Sequence, residues 1–402
     1  MSGRAPKAGR GEGGGSSRRR IRVNKALCIC LSTLALWAGA GVARAEGAPG
    51  PEAARRDKSL LLESRAAVRR AFKQLEMLQA EDGSWSADPA ITGLVVSAIL
   101  GSRQEGFGAQ SETVRKGLAY IRGFAQPDGS IYDTFYPNYT TSICAMALVD
   151  AGLEGDQELI AKAQAFLLDL QADEGEGVGS EDAQYGGWGY EPDAQEGGMH
   201  RADMSNSQLA MEALHAMEEA SRQQCPEEGE GEGQTRTELA YGKAIHYLEQ
   251  CQSHDGGFIY RPGESKAGSR PDGGLRSYGS MTYAGLKSMI YARLSRDDPR
   301  VEAAHEWAQG HWSVTENPEL GQQGLYYYYQ TMAKALQALG EDVIVDAAGQ
   351  PHDWRSELVG ELLRVQRADG TWANENGRWM EQMPELATAY AVLAINHATQ
   401  DW

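Results

Sequence analysis

The sequence predicts an all-α protein closed into a ring, an α/α toroid (α6/α6 barrel), and three observations carry that prediction. First, a helix-ending phrase recurs along the chain, as Gln79-Ala80-Glu81-Asp82-Gly83-Ser84-Trp85, Gln252-Ser253-His254-Asp255-Gly256-Gly257-Phe258 and Gln366-Arg367-Ala368-Asp369-Gly370-Thr371-Trp372, with altered copies at Gln126-Pro127-Asp128-Gly129 and Gln171-Ala172-Asp173-Glu174-Gly175. Recurrence on this scale marks an array of helix-turn-helix units. Second, one-sided helical patterns alternate with apolar ones, which suits two concentric rings. Third, the first and last apolar helices are among the most apolar of all, whereas an open solenoid, the runner-up architecture, needs polar end repeats.

Residues 1–45 read as an export signal: a basic leader through Arg18-Arg19-Arg20-Ile21-Arg22, an apolar run from Ala26 to Val42, and the small-x-small cleavage pattern Ala43-Arg44-Ala45. Ser17-Arg18-Arg19 lends it partial twin-arginine character, so an exported, periplasmic protein is expected, touching a membrane only through this segment if it stays uncleaved. A linker is expected at 46–62 and the toroid at 63–400. In 65–79, Val68, Ala71, Phe72, Leu75 and Leu78 share one face while Arg65, Arg69, Arg70, Lys73 and Glu76 occupy the rest, the pattern of an outer helix. It recurs around 113–125, 159–170, 237–251, 299–309 and 354–365. Inner helices follow near 91–101, 139–152, 204–218, 279–293, 326–339 and 385–398; Ile91 to Leu100, Thr141 to Val149 and Leu386 to Ile395 carry no charge at all. Helices apolar all round are buried on every side.

In the recurring phrase, Asp-Gly supplies a left-handed residue, Gln can satisfy free backbone groups at the helix end, and the aromatic residue buries between repeats. Two acidic insertions, 172–200 and 222–236, interrupt the rhythm, the second with the flexible run Pro226-Glu227-Glu228-Gly229-Glu230-Gly231-Glu232-Gly233. Asp297-Asp298-Pro299 reads as a helix N-cap.

Beyond residue 45 the chain keeps 29 Lys+Arg against 55 Asp+Glu, a net charge of −26. Such a surface repels phosphate backbones and disfavours a nucleic-acid partner. The cysteines beyond the leader, Cys144, Cys225 and Cys251, lack CxxC spacing, which argues against a disulfide framework and a structural zinc; one Cys225–Cys251 bridge is left open. His200, His254, His305 and His311 have no metal-ligand spacing, and neither a metal nor another cofactor is expected.

With those turns in place, residues 60–400 resemble the squalene cyclase and protein prenyltransferase repeat superfamily (terpenoid cyclase-like), whose QW-type repeats have this Gln, Asp-Gly and aromatic order; Asp255-Gly256-Gly257-Phe258 followed by Gly279-Ser280-Met281-Thr282-Tyr283-Ala284 matches well. The resemblance implies a toroid with a central cavity in which family enzymes bind isoprenoid chains. It also implies motifs that this chain lacks. No DxDD motif of the squalene-hopene cyclases occurs, and where the resemblance would place a prenyltransferase zinc ligand after aromatic residues the chain has Tyr326-Tyr327-Tyr328-Tyr329-Gln330-Thr331.

The entrances to the inner helices, converging on one end of the cavity, are polar and aromatic. Tyr136, Asn138, Tyr139, Arg201, Asn206, Arg276, Tyr278, Tyr283, Tyr328 and Gln330 are the candidate ligand-binding residues, a wet rim above an apolar well. A catalytic acid would come from Asp133, Asp203 or Glu385, its pKa raised by burial. The expected function is the binding of an apolar, isoprenoid-like small molecule or lipid. The alternatives are an unconventional cyclase or lyase using a rim carboxylate, a scaffold whose acidic insertions contact another exported protein, and glycan chemistry by paired carboxylates.

Overall fold

Four of the five recurring phrases fold into a tight turn whose glycine, Gly83, Gly129, Gly256 or Gly370, touches the next outer helix; at the copy 171–175 that place is taken by Gly186, eleven residues beyond the expected Gly175. In the computed structural model, which describes residues 51–190, 201–224 and 232–402, the outer helices are α1 (Pro51–Leu78), α3 (Glu112–Arg122), α5 (Gln157–Asp169), α7 (Glu232–Cys251), α9 (Pro299–Gly310) and α11 (Trp354–Val365). They alternate with inner helices α2 (Pro89–Gly101), α4 (Pro137–Ala151), α6 (Met204–Gln224), α8 (Gly279–Tyr291), α10 (Leu325–Leu339) and α12 (Pro384–Thr399). Each inner helix packs on the next, and α12 packs back on α2; α11 likewise meets α1, so the toroid is closed.

The turn chemistry explains the closure. Gln79 Nε2 donates to the Gly83 carbonyl in its own turn and to the Thr113 carbonyl at the start of α3. Gln171 and Gln252 do the same toward α7 and α9, and Gln366 reaches the Ala67 carbonyl of α1, joining the last repeat to the first. Gln126 departs from this, bonding only within its own loop. Gly83, Gly129, Gly186, Gly256 and Gly370 all have φ between 84° and 93°, in the left-handed region. A Cβ on Gly186 would lie 1.9 Å from the Lys243 carbonyl oxygen of α7. The turn glycine is thus needed for close approach as much as for ending the helix. The aromatic residue that follows is fully buried, and its indole N–H satisfies a carbonyl of the preceding outer helix: Trp85 to Leu75, Trp188 to Leu167, Trp372 to Leu362.

Asp298 caps α9 by accepting from the Arg300 N–H, with Pro299 at the first helical position, as read from the sequence. Several expectations need correction. Helix α1 begins at Pro51, inside the expected 46–62 linker. Helices α6 and α7 run into the 222–236 insertion from both sides, which extends ordered helix up to Gln224 and from Glu232; residues 225–231, with Cys225, lie outside the described residues, as do 191–200 and the leader at 1–45. A small antiparallel hairpin, β1 (Val343–Val345) and β2 (Pro351–Asp353), joins α10 to α11 and was not foreseen. Cys144 and Cys251 are buried free thiols. Finally, the inner ring is not wholly apolar: α6, α8 and α10 each carry a charged residue, Glu212, Lys287 and Lys334.

Candidate functional site

The centre of the ring is divided in two. An upper cavity of about 870 Å³ opens among the N-termini of the inner helices, and a lower one of about 660 Å³ among their C-termini. Leu209, Tyr327 and Tyr390 line both, so these side chains form the waist between them.

The upper cavity gathers tyrosines from four inner-helix entrances and two loops: Tyr136, Tyr139, Tyr190, Tyr260, Tyr278, Tyr327 and Tyr390. Tyr139 and Tyr390 hydroxyls are 3.3 Å apart, Tyr327 meets Tyr390 edge to face at 5.9 Å, and Tyr136 lies against Tyr190 at 4.9 Å. Burial raises the phenol pKa of Tyr139, Tyr327 and Tyr390, so the wall offers neutral hydroxyls and ring faces rather than phenolates. At the mouth, Tyr136, Trp379 and Met380 have φ of 61°, 60° and 65°, a left-handed backbone that a side-chain-bearing residue adopts at a cost of about 1–3 kcal/mol. That strained backbone holds Phe135, Tyr136, Trp379 and Met380 out in solvent around the opening.

Two buried carboxyls lie in or behind the wall of this cavity. Glu381, buried in its wall, accepts from the Tyr327 N–H at 2.8 Å and from Asn374 Nδ2 at 2.8 Å, capping α10 from the loop that precedes the neighbouring α12. Burial raises its pKa in spite of those donors. Asp203, one layer behind the wall, accepts from the Asn206 N–H at 3.0 Å and Nδ2 at 2.8 Å and bonds to Tyr260. Burial pushes it up to about 6. Its unfolded counterpart loses the proton near pH 4. The stability contributed by this protonation is therefore full below pH 4 and is lost as pH rises through the folded value. In denaturant unfolding from pH 4 to 7, wild type is expected to lose stability relative to Asp203→Asn, by up to about 1.4 kcal/mol per pH unit inside that window. Parallel profiles for the two proteins would refute this.

Of the residues singled out from sequence, Asp133, Tyr136, Tyr139 and Tyr278 line the upper cavity. Asp133 is exposed at its rim, without the burial that the acid role presumes. Glu385 sits half-buried in the first turn of α12 and lines neither cavity; the buried acid at the wall is Glu381, four residues earlier in the loop before the helix. Asn138 and Asn206 are buried and hydrogen-bonded to each other, to the Gly189 carbonyl and to Asp203, tying α4 to α6. Arg201 is exposed and lines neither cavity, while Arg276 pairs with Glu319 at 3.0 Å on the surface. Tyr283 and Tyr328 pack on each other between the rings, with the Tyr328 hydroxyl donating to the Ser313 carbonyl, and Tyr327 takes the cavity position instead. Gln330 lines the lower cavity, not the upper. The local sign of Glu381 was an acid enclosed by Trp379, Met380 and Met383 just before Pro384.

No protein-family model matches the chain. Enfumafungin synthase efuA from Hormonema carpetanum is 33% identical over 132 residues, 31% of this chain, and the chain spans only 10% of that protein's length. Among solved structures, a variant of the type II terpene cyclase MstE from Scytonema in complex with geranylgeranyl dihydroxybenzoate superposes with a TM-score of 0.54 at 14% identity, covering 85% of this chain and 99% of that one. A complex of another MstE variant with merosterolic acid A gives 0.53 at 13% identity, covering 85% and 98%. With its turns, its closed double ring and these superpositions, the chain is an α/α toroid with the fold of the type II terpene cyclases.

Proposed function

We propose that this protein binds an elongated, apolar, isoprenoid-like molecule in the upper cavity. The observation that carries the reading is the mouth: left-handed backbone at Tyr136, Trp379 and Met380 displays large apolar side chains around an opening of about 870 Å³ walled by tyrosines. Exposed apolar side chains grouped at a cavity mark a binding surface, and the volume lies in the range of small-molecule sites. Export through the leader at 1–45 belongs to the same proposal. The terpene-cyclase-like fold supports a cyclase or related function, and Glu381 and Asp203 are the groups that would serve it. Burial holds the proton on both carboxyls to higher pH, as a general acid requires, but Asp203 does not line the cavity, and Glu381 accepts from the Tyr327 N–H and Asn374 Nδ2, bonds that favour its ionised form. Binding is therefore the leading reading.

Native mass spectrometry and thermal shift against polyprenols and triterpenes test it on protein recovered from the periplasm, whose mass also reports cleavage after Ala45. Saturable binding of at least one such lipid is expected, weakened about tenfold by Trp379→Ala. Silence across the panel would overturn the proposal. Products formed by wild type and lost in Glu381→Gln would favour the cyclase reading instead.

A further inference from the structure

The lower cavity has a different chemistry. At its inner end Glu212 of α6 accepts from both Lys287 of α8 and Lys334 of α10, and Lys287 also donates to Gln208, which in turn donates to the Tyr327 hydroxyl at 3.2 Å. Burial alone would raise the Glu212 pKa, but the two ammonium groups bring it down to about 2; burial pulls Lys287 down to about 8 against the attraction of Glu212. Two cations thus share one carboxylate. Lys287 is fully buried and satisfied by its pairing, whereas Lys334 lines the cavity with Glu212 as its one hydrogen-bond partner among the described residues. An ammonium carries three donors, so two face the cavity side of the triad without a protein acceptor.

Around the cavity the cations Arg65, Arg69, Arg103, Lys287 and Lys334 outnumber the carboxylates Glu105, Asp150 and Glu212. Asp150 is exposed and makes no ion pair with either lysine among the described residues. His397, whose Nδ1 is 2.7 Å from Gln337 Oε1, is pulled down to about 3 by burial and is neutral. Glu105 stands at the mouth, outnumbered there by Arg65, Arg69 and Arg103, all exposed. In a chain of formal net charge −18, this is a cationic funnel leading to a half-buried ammonium that shares its carboxylate with a second lysine. A funnel of one sign steers the opposite sign inward. Between mouth and ammonium the wall is apolar, with Leu94, Ile143, Met146 and Leu393.

We propose that the lower cavity is a second binding site, taking a small organic oxyanion, a carboxylate or phosphate ester with an apolar body, whose head group pairs with Lys334. The site is separate from the upper cavity, from which the Leu209, Tyr327 and Tyr390 waist divides it. Isothermal titration of the full chain with octanoate, octyl phosphate and neutral 1-octanol tests it, the two anions telling carboxylate from phosphate. At least one anion is expected to bind saturably, tenfold or more tightly than octanol, and more weakly as salt rises. Lys334→Met, which leaves Glu212 paired with Lys287, should weaken that anion at least tenfold while leaving polyprenol binding unchanged; Trp379→Ala should do the reverse. Should Lys334→Met fail to fold, Arg65→Gln with Arg103→Gln, both on the surface, should still weaken binding at least threefold and flatten its salt dependence. Octanol binding as tightly as the anions, or equal anion affinity in wild type and in the folded variants, would overturn the proposal.

Discussion

Glu212→Gln is expected to destabilise the protein by about 3–5 kcal/mol, because it leaves the fully buried Lys287, with the half-buried Lys334 beside it, without a counter-charge. The amide keeps the shape but offers one acceptor oxygen where Glu212 uses two, so one ammonium also meets an N–H donor and the loss combines charge with hydrogen bonding. Lys334→Met should cost far less, since the Glu212–Lys287 pair remains neutral and hydrogen-bonded. Urea unfolding at neutral pH measures the order. If Glu212→Gln unfolds within about 1 kcal/mol of wild type, the triad is not what holds α6, α8 and α10 together at the lower end of the ring.

The second large effect lies at a seam between repeats. Gly186 has φ 84°, and an added Cβ would fall 1.9 Å from the Lys243 carbonyl oxygen, a contact with backbone that no side-chain rotation relieves. Gly186→Ala therefore combines the penalty of a left-handed residue with displacement of α7 from its neighbour, at least about 3 kcal/mol together. Gly106→Ala is the matched control: its φ is 87°, but nothing lies within 4 Å of the new carbon, so only the conformational penalty of about 1 kcal/mol remains. Equal unfolding midpoints for the two variants would show that close approach plays no part.

These two predictions draw on different levels of the molecule. Gly83, Gly129, Gly256 and Gly370 could be recognised in the sequence because their phrase repeats, whereas the copy at 171–175 pointed to Gly175 and only the fold puts Gly186 in the equivalent turn. The Glu212, Lys287 and Lys334 triad could not be assembled in that way. Its members come from three helices well separated along the chain; Lys287 and Lys334 are each the one charge of their helix, while Glu212 is one of four in α6. A lone charge in a buried helix is itself a signal, but it does not name its partner.

By itself the sequence determined the helices, their alternation between outer and inner rings, and the closure of the toroid, since periodicity and turn phrases act over a few residues. Only the tertiary structure decided which side chains meet at the centre. In Tyr326-Tyr327-Tyr328-Tyr329 neighbouring residues point about 100° apart around the helix, and an unbroken run of one residue type contains nothing to choose between them. The rotation of α10 against α8 and α12 turned Tyr327 into the cavity and Tyr328 into the packing between rings. Likewise the loop before α12, folded back over the start of α10, brought Glu381 rather than Glu385 to the wall. Inward and outward are properties of the closed ring, fixed when all six inner helices pack at once.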